Sequence, residues 1–284
     1  MWREVIELSR PKNIILAVIT VPLGAYLASP NLSPNLFGLV ALQTASVVFF
    51  MAAGNTFNDI SDISIDKIAK SDRPLPSERI SVTDATRVAY GFSFLSLLSM
   101  LIGAYLLKED RIYVAAIWLL AAMLIYTYDM GPQTKRMGLI GNIAISLMVG
   151  AVILYGAASI GKLFTPLVFY AAGVAFFANL AREIIKDCED MESDEGRNTL
   201  PMRIGLEKAR MLSYLLVMSA LIILFIPHWL GPLSPNQLLI QSPAMILLIT
   251  LNAPMMKGDD HSAQQRIRLG MLLGLLAFAV EVSI

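Results

Sequence analysis

Charge is scarce in this sequence. Only 15% of its 284 residues are Asp, Glu, Lys or Arg, where a soluble globular domain carries roughly 25%. The hydrophobic share is 56%. That balance argues against an ordinary soluble domain and places the chain among membrane proteins. Cysteine is nearly absent: Cys188 stands alone, which rules out an intrachain disulfide framework. With only His228 and His261 beside it, a structural zinc site has too few ligands. The 22 basic and 22 acidic residues cancel, so no net charge points to a nucleic-acid partner. No cleavable leader is expected either. The polar start MWREVIELSR runs into an apolar stretch with no small-residue cleavage site, and is expected to lead into a retained first helix.

What the chain does have is long apolar runs. A spanning helix needs about 20 mostly apolar residues. Nine stretches are predicted to qualify: 13–29, 36–57, 85–107, 112–129, 138–158, 164–185, 211–230, 238–255 and 267–283. Backbone polar groups must be satisfied within lipid, so these are helices. The expected fold is an all-α integral membrane protein, a single domain over 1–284, with nine helices bundled around a central cavity. On that count, all 22 lysines and arginines except Lys108, Arg111 and Lys162 fall at or near the side of the N-terminus. The positive-inside rule makes that side cytoplasmic, so a multi-pass cell-membrane protein with a cytoplasmic N-terminus is expected.

Two loops on that side, 58–84 and 186–210, are long and rich in acids. In the first, Asn55, Asp59, Asp62 and Asp66 are spaced 4, 3 and 4. In the second, Glu183, Asp187, Asp190 and Asp194 repeat that register. On a helix such positions share one face. Like charges at this spacing repel, so a cation is implied. Oxygen-only ligation suits Mg2+, which takes one or two carboxylates, waters and substrate phosphates. Interleaved Lys67, Arg73, Lys186 and Arg197 suit an anion. Acid and base together suggest a metal-bridged diphosphate, held where the two carboxylate-bearing helix ends face a shared cleft.

The segment NDISDISIDKIAKSDRPLPS resembles the first aspartate motif of the UbiA superfamily of intramembrane prenyltransferases, and REIIKDCEDMESDEGRNTLPMRIG resembles the second. LSRPKN is similar to that family's start of helix one, and Lys135 through Asn142 to its segment between helices four and five. The phrases RPLPSERIS and REIIKDCEDMESDEGRNTLP bring the chain nearest to members acting in archaeal ether-lipid (phospholipid) biosynthesis. Those members transfer a geranylgeranyl group from geranylgeranyl diphosphate to a hydroxyl of geranylgeranylglyceryl phosphate.

The resemblance implies a Mg2+-dependent transferase with both lipid substrates drawn from the membrane. Asp59, Asp62 and Asp66 are expected on one magnesium side and Asp187, Asp190 and Asp194 on the other. Asn55 and Asn58 would support them. Arg73 and Lys135 would hold the leaving diphosphate, with Lys67 and Lys186 behind. Arg10, Lys12 and Asn13 are placed to meet the acceptor's phosphate. Tyr126 or Tyr128 could stabilise an allylic cation through its ring face; the segment YTYDMGPQTKR departs from the family spacing between tyrosine and Lys135 and leaves that choice open. An aromatic or quinone-precursor acceptor is the alternative within the same fold. A transporter is the alternative of another class, although the acids cluster at helix ends and most helix centres lack charge.

Overall fold

A computed structural model describes residues 2–107, 110–191 and 198–284; at Lys12, Asn13, Leu16 and Ala69 it describes the backbone alone. Among the described residues the chain is entirely helical. The helices are α1 (Trp2–Ser9), α2 (Pro11–Ala28), α3 (Pro34–Ser61), α4 (Ile63–Ala69), α5 (Val82–Leu106), α6 (Arg111–Ile125), α7 (Leu139–Ala158), α8 (Pro166–Glu189), α9 (Leu200–Ile204), α10 (Leu206–Trp229), α11 (Leu238–Ile249), α12 (Asn252–Met256) and α13 (Asp260–Ser283). A π-helical turn over Tyr126–Met130 extends α6, and a 3-10 turn spans Thr134–Arg136. Proline at the first position of α3 and α8 costs nothing there, because that N–H has no helical partner.

Seven helices, not the nine expected, are long and apolar enough to cross a membrane among the described residues: Pro34–Ser61, Val82–Leu106, Arg111–Met130, Leu139–Ala158, Pro166–Glu189, Leu206–Trp229 and Pro235–Met256. The stretch expected at 13–29 lies in α2, whose described apolar run is only Ala17–Ala28, short of the roughly 20 residues a span needs. The stretch expected at 267–283 lies in α13, where Arg266, Arg268 and Glu281 interrupt the apolar character. Both corrections fall at the ends of the chain. The seven spans coincide with the second to eighth of the expected stretches.

Two compact units make up the chain. The first comprises Met1–Ala25, Asn31–Pro132 and Tyr155–Leu163; the second comprises Tyr26–Pro30, Gln133–Leu154 and Phe164–Ile284.

In the first unit, α3 and α5 pack along one another. Buried polar groups pin them, which apolar packing alone would not do in lipid. Ser46 Oγ donates to the Ser96 carbonyl at 2.9 Å, Gln43 Nε2 to the Met100 carbonyl at 3.2 Å, and Trp118 of α6 to Ser96 Oγ at 2.9 Å. Tyr155, at the end of α7, donates to Gln43 Oε1. Leu8, Leu75, Ile80 and Ala85 form a small core that fastens the 70–81 loop to α1 and the start of α5.

In the second unit, α8 packs against α10 and α13, and α11 against α13. Gly150 brings α7 onto α8: a Cβ there would sit 2.9 Å from the Ala172 carbonyl, so only glycine fits this approach. Leu180, Ile184, Cys188, Leu200 and Ala209 form the core beneath the end of α8.

Candidate functional site

Each unit carries its own acidic station. In the first, α3 brings Asn55, Asn58 and Asp59 to its C-terminal end, stops at Ser61, and restarts as α4 at Ile63. Asp62 is the hinge residue, with φ −100° and ψ 8°. The single helical face expected through Asp66 is therefore broken after one turn. A tertiary contact restores it: Arg73, from the following loop, donates from one nitrogen to Asp59 Oδ1 at 3.1 Å and to Asp66 Oδ2 at 2.6 Å. Both carboxylates are buried, each about 4% exposed, and so need cationic partners.

A second cation arrives from far away in sequence. Arg10, in the corner between α1 and α2, donates to the same Oδ1 of Asp59. Its φ is 52°, a left-handed backbone that non-glycine residues adopt at a cost. The corner is fixed from α3, because Asn55 Nδ2 donates to the Ser9 carbonyl at 2.8 Å. Lys70 Nζ stands 4.0 Å from Asp66. Lys67 is exposed, and the side chains of Lys12 and Asn13 lie outside the described residues. On the outer side of this corner, Arg79 forks onto both Glu7 oxygens at 2.9 Å. The Arg79 guanidinium holds the Glu7 carboxyl below its ordinary range.

The same unit holds the two tyrosines in the π-helical turn after α6. Tyr126 is 57% exposed, Tyr128 is half-buried, and Asp129 beside them is buried. A π turn inside a helix often marks a functional position. Asp129 was not singled out by spacing; the signal available was an acid at the end of a spanning helix.

In the second unit, Asp187 is buried on the last turns of α8 and accepts a hydrogen bond from Asn142 Nδ2 at 2.7 Å. The polar line continues: Ser146 Oγ donates to the Asn142 carbonyl at 2.6 Å, and Asn179 Nδ2 donates to Ser146 Oγ at 3.1 Å. Asp190 is half-buried, Lys186 is exposed, and Asp194 and Arg197 lie outside the described residues. Glu183 pairs with its neighbour Arg182. Lys135 is buried in the 3-10 turn that precedes α7. That turn is tied to the end of the second acidic loop, since Asn198 N donates to the Arg136 carbonyl and Gly138, at φ 58°, faces the Asn198 carbonyl too closely for any Cβ. Glu189 is held by His261 at 3.0 Å and by Gln264. Arg210 forks onto Asp260 at 2.8 and 2.6 Å.

Among the described residues the groups at these stations that could ligate a cation are carboxylate and amide oxygens. Among the described residues no three His, Cys, Asp or Glu side chains converge into a ready-made metal cage. Mg2+ does not need one, since it keeps waters and uses one or two carboxylates with substrate phosphate oxygens. The donor chemistry therefore fits magnesium and not a thiolate- or imidazole-seeking metal.

Fold and stations together define a polytopic helical membrane protein with an acid–base station in each of its two units. The chain belongs to the UbiA prenyltransferase family, whose sequence model matches residues 17–276. It is 34% identical to the digeranylgeranylglyceryl phosphate synthase of Methanopyrus kandleri over 99% of both chains. It is 31% identical to the enzyme of that name from Thermococcus kodakarensis over 98% of both. A solved structure concerned with digeranylgeranylglyceryl phosphate synthase superposes with a TM-score of 0.82 at 30% identity, covering 99% of this chain and 98% of that one. The fold is also that of a UbiA homologue from Archaeoglobus fulgidus solved with GPP and Mg2+, at TM-score 0.72 and 21% identity over 99% of this chain and 100% of that one.

Proposed function

We propose that the protein transfers the geranylgeranyl group of geranylgeranyl diphosphate to the free hydroxyl of geranylgeranylglyceryl phosphate, forming digeranylgeranylglyceryl phosphate for archaeal-type ether lipid. The observation that carries this reading is similarity over nearly the full length of synthases of that name, at 30% identity or above. One family match spanning 17–276 supports treating 1–284 as one catalytic domain.

In the reaction the bond between the allylic carbon and the diphosphate oxygen breaks, and the electron pair leaves with diphosphate. The acceptor hydroxyl oxygen then bonds to that carbon and gives up its proton. Asp59, Asp62 and Asp66, and Asp187, Asp190 and Asp194, would hold Mg2+, with Asn55 and Asn58 supporting the first set and Asn142 orienting Asp187. Bound magnesium supplies Lewis-acid neutralisation of charge on the leaving group. Arg73 and Lys135 bind the diphosphate oxygens, with Lys67 and Lys186 at the approach, and stabilise charge as it develops. Lys12 and Asn13 at the start of α2 are assigned to the acceptor's phosphate, and Arg10, which pairs with Asp59, to the diphosphate. Tyr128 or Tyr126 is assigned to the allylic cation, which a ring face can stabilise; Tyr128 is the less exposed of the two. Apolar helices around the chemistry exclude the water that would quench that cation.

We assign the N-terminus and both acidic motifs to the cytoplasm. The support is the concentration of lysine and arginine on that side of the spans, and the packing of the Ser9–Arg10 corner on the motif end of α3. The deciding assay supplies purified protein with geranylgeranyl diphosphate, Mg2+ and two acceptors, geranylgeranylglyceryl phosphate and an aromatic acid. Product from the aromatic acid alone would reject the reading.

A further inference from the structure

The first acidic station couples its own cations to its carboxylates in a way that bears on how a metal ion can enter. Arg10 and Arg73 converge on one oxygen, Oδ1 of Asp59, and Arg73 also reaches Oδ2 of Asp66. Two buried carboxylates are thus balanced by two guanidiniums, with the Lys70 ammonium at the 4.0 Å margin of Asp66. The arrangement is built and not incidental. Arg10 is delivered by a left-handed backbone turn, a conformation that persists only where its surroundings hold it. Those surroundings are the Asn55 bond to the Ser9 carbonyl and the Ser9 hydroxyl bond to the Ile6 carbonyl at 2.7 Å. Arg73 is steadied by the loop that ends in the Leu8, Leu75 and Ile80 core.

A divalent cation bound to Asp59 and Asp66 draws on the same oxygens these guanidiniums use. Placing it there with both arginines still in contact sets three positive groups against one another at close range, which is unfavourable. A diphosphate removes the conflict. Guanidinium forks match phosphate oxygens as well as they match carboxylates. The arginines can pass from carboxylate to phosphate while the cation takes the carboxylates and bridges to the same anion. Opposite charges then alternate through the station.

We propose that Arg73, with Arg10, makes divalent-cation binding at Asp59 and Asp66 conditional on a diphosphate, by an exchange of guanidiniums from carboxylate to phosphate oxygens. This rests on the reading of those aspartates as magnesium ligands. Linkage makes the effect reciprocal: the cation must raise diphosphate affinity by the same factor. Arg10 and Arg73 are positioning residues for the metal in this scheme, and Asn55 positions Arg10. A metal ion without its diphosphate is thereby disfavoured, and so is a diphosphate without its metal.

The test uses the full-length protein in lipid nanodiscs with Mn2+ as the probe, read by electron paramagnetic resonance with no prenyl donor present. Free Mn2+ is buffered, so that chelation by added inorganic diphosphate does not enter. For the wild type, Mn2+ alone should bind weakly, and inorganic diphosphate should tighten it about tenfold, a usual size for such coupling. Arg73→Gln should bind Mn2+ alone more tightly than the wild type and lose most of the gain from diphosphate. Arg10→Gln should shift the same way. Arg73→Lys, which keeps the charge without the fork, should fall between wild type and Arg73→Gln, and it covers the case in which the glutamine variant does not fold. If neither Arg73 variant binds Mn2+ alone more tightly than the wild type, the exchange is refuted. An Asp59→Asn protein separates the two ideas: unchanged Mn2+ binding there would refute the magnesium assignment itself.

Discussion

Asn142 on α7 donates a 2.7 Å hydrogen bond to Asp187 on α8, and both side chains are buried. A buried carboxylate with a fixed amide donor keeps one rotamer, which an outer partner of a metal ligand must secure. Asn142→Leu should lower kcat/KM by roughly 10–100-fold, the usual range for losing such a partner, while far-UV circular dichroism stays unchanged. Asn142→Asp should fail more severely, because it sets two carboxylates against each other at hydrogen-bond distance. Equal activity in both variants and the wild type would remove Asn142 from the site.

Asp59→Ala and Asp187→Ala should each come close to abolishing transfer in protein that is still helical and inserted. Chelation by EDTA should stop the wild-type reaction and added Mg2+ should restore it, as expected where oxygen-only donors bind a weakly held cation. Product formation from radiolabelled geranylgeranyl diphosphate reads both. Near-wild-type turnover by either variant with Mg2+ present would show that its carboxylate is dispensable.

The spacing of these acids was legible because it is local, but the single face it implied is broken in the first set, where Arg73 rejoins Asp66 to Asp59. What completes the two sets was not legible. Arg10 reaches Asp59 across 49 residues and Asn142 reaches Asp187 across 45, and no periodicity encodes a contact at that range. The break at Asp62 is hidden for a related reason, since one non-helical residue leaves the pattern of side chains intact. The helix count went wrong where length was weighed without local charge, at Arg266, Arg268 and Glu281 of α13 and in the short apolar run of α2.

Acid should loosen the corner that carries Arg10. The Arg79 guanidinium holds Glu7 below its ordinary value of 4.5, so the ion pair's contribution is fully present above that value. It is lost as pH falls through the lowered one, where the bound carboxylate takes up its proton. The pair is exposed, so the effect is small. Glu7→Gln should flatten the acid limb of thermal stability between about pH 5 and pH 3 relative to the wild type, with no change at pH 7 in the sign of the difference. A wild-type acid limb identical to that of Glu7→Gln would mean the tie carries no stability.

The second unit contains a buried pair that serves architecture, not chemistry. His228 of α10 and Glu281 of α13 are fully buried, with His228 Nε2 at 3.2 Å from Glu281 Oε1. His228 Nδ1 lies 3.0 Å from the Leu224 carbonyl. A carbonyl only accepts, so Nδ1 carries a hydrogen. Nε2 then faces the Glu281 carboxylate, so each side chain is the other's buried polar partner. Gln241 of α11 donates to the other carboxylate oxygen at 3.2 Å, which draws three helices onto one group. Removing one partner strands the other in a low-dielectric setting, at a cost of about 3–5 kcal/mol, whereas replacing both with apolar residues can be close to neutral. His228→Leu and Glu281→Leu should each lower the thermal midpoint markedly, and the double variant should recover much of the loss. Transfer rates below the melting range should stay near wild type in all three. A double variant as unstable as the sum of the single ones would show that the two side chains act independently.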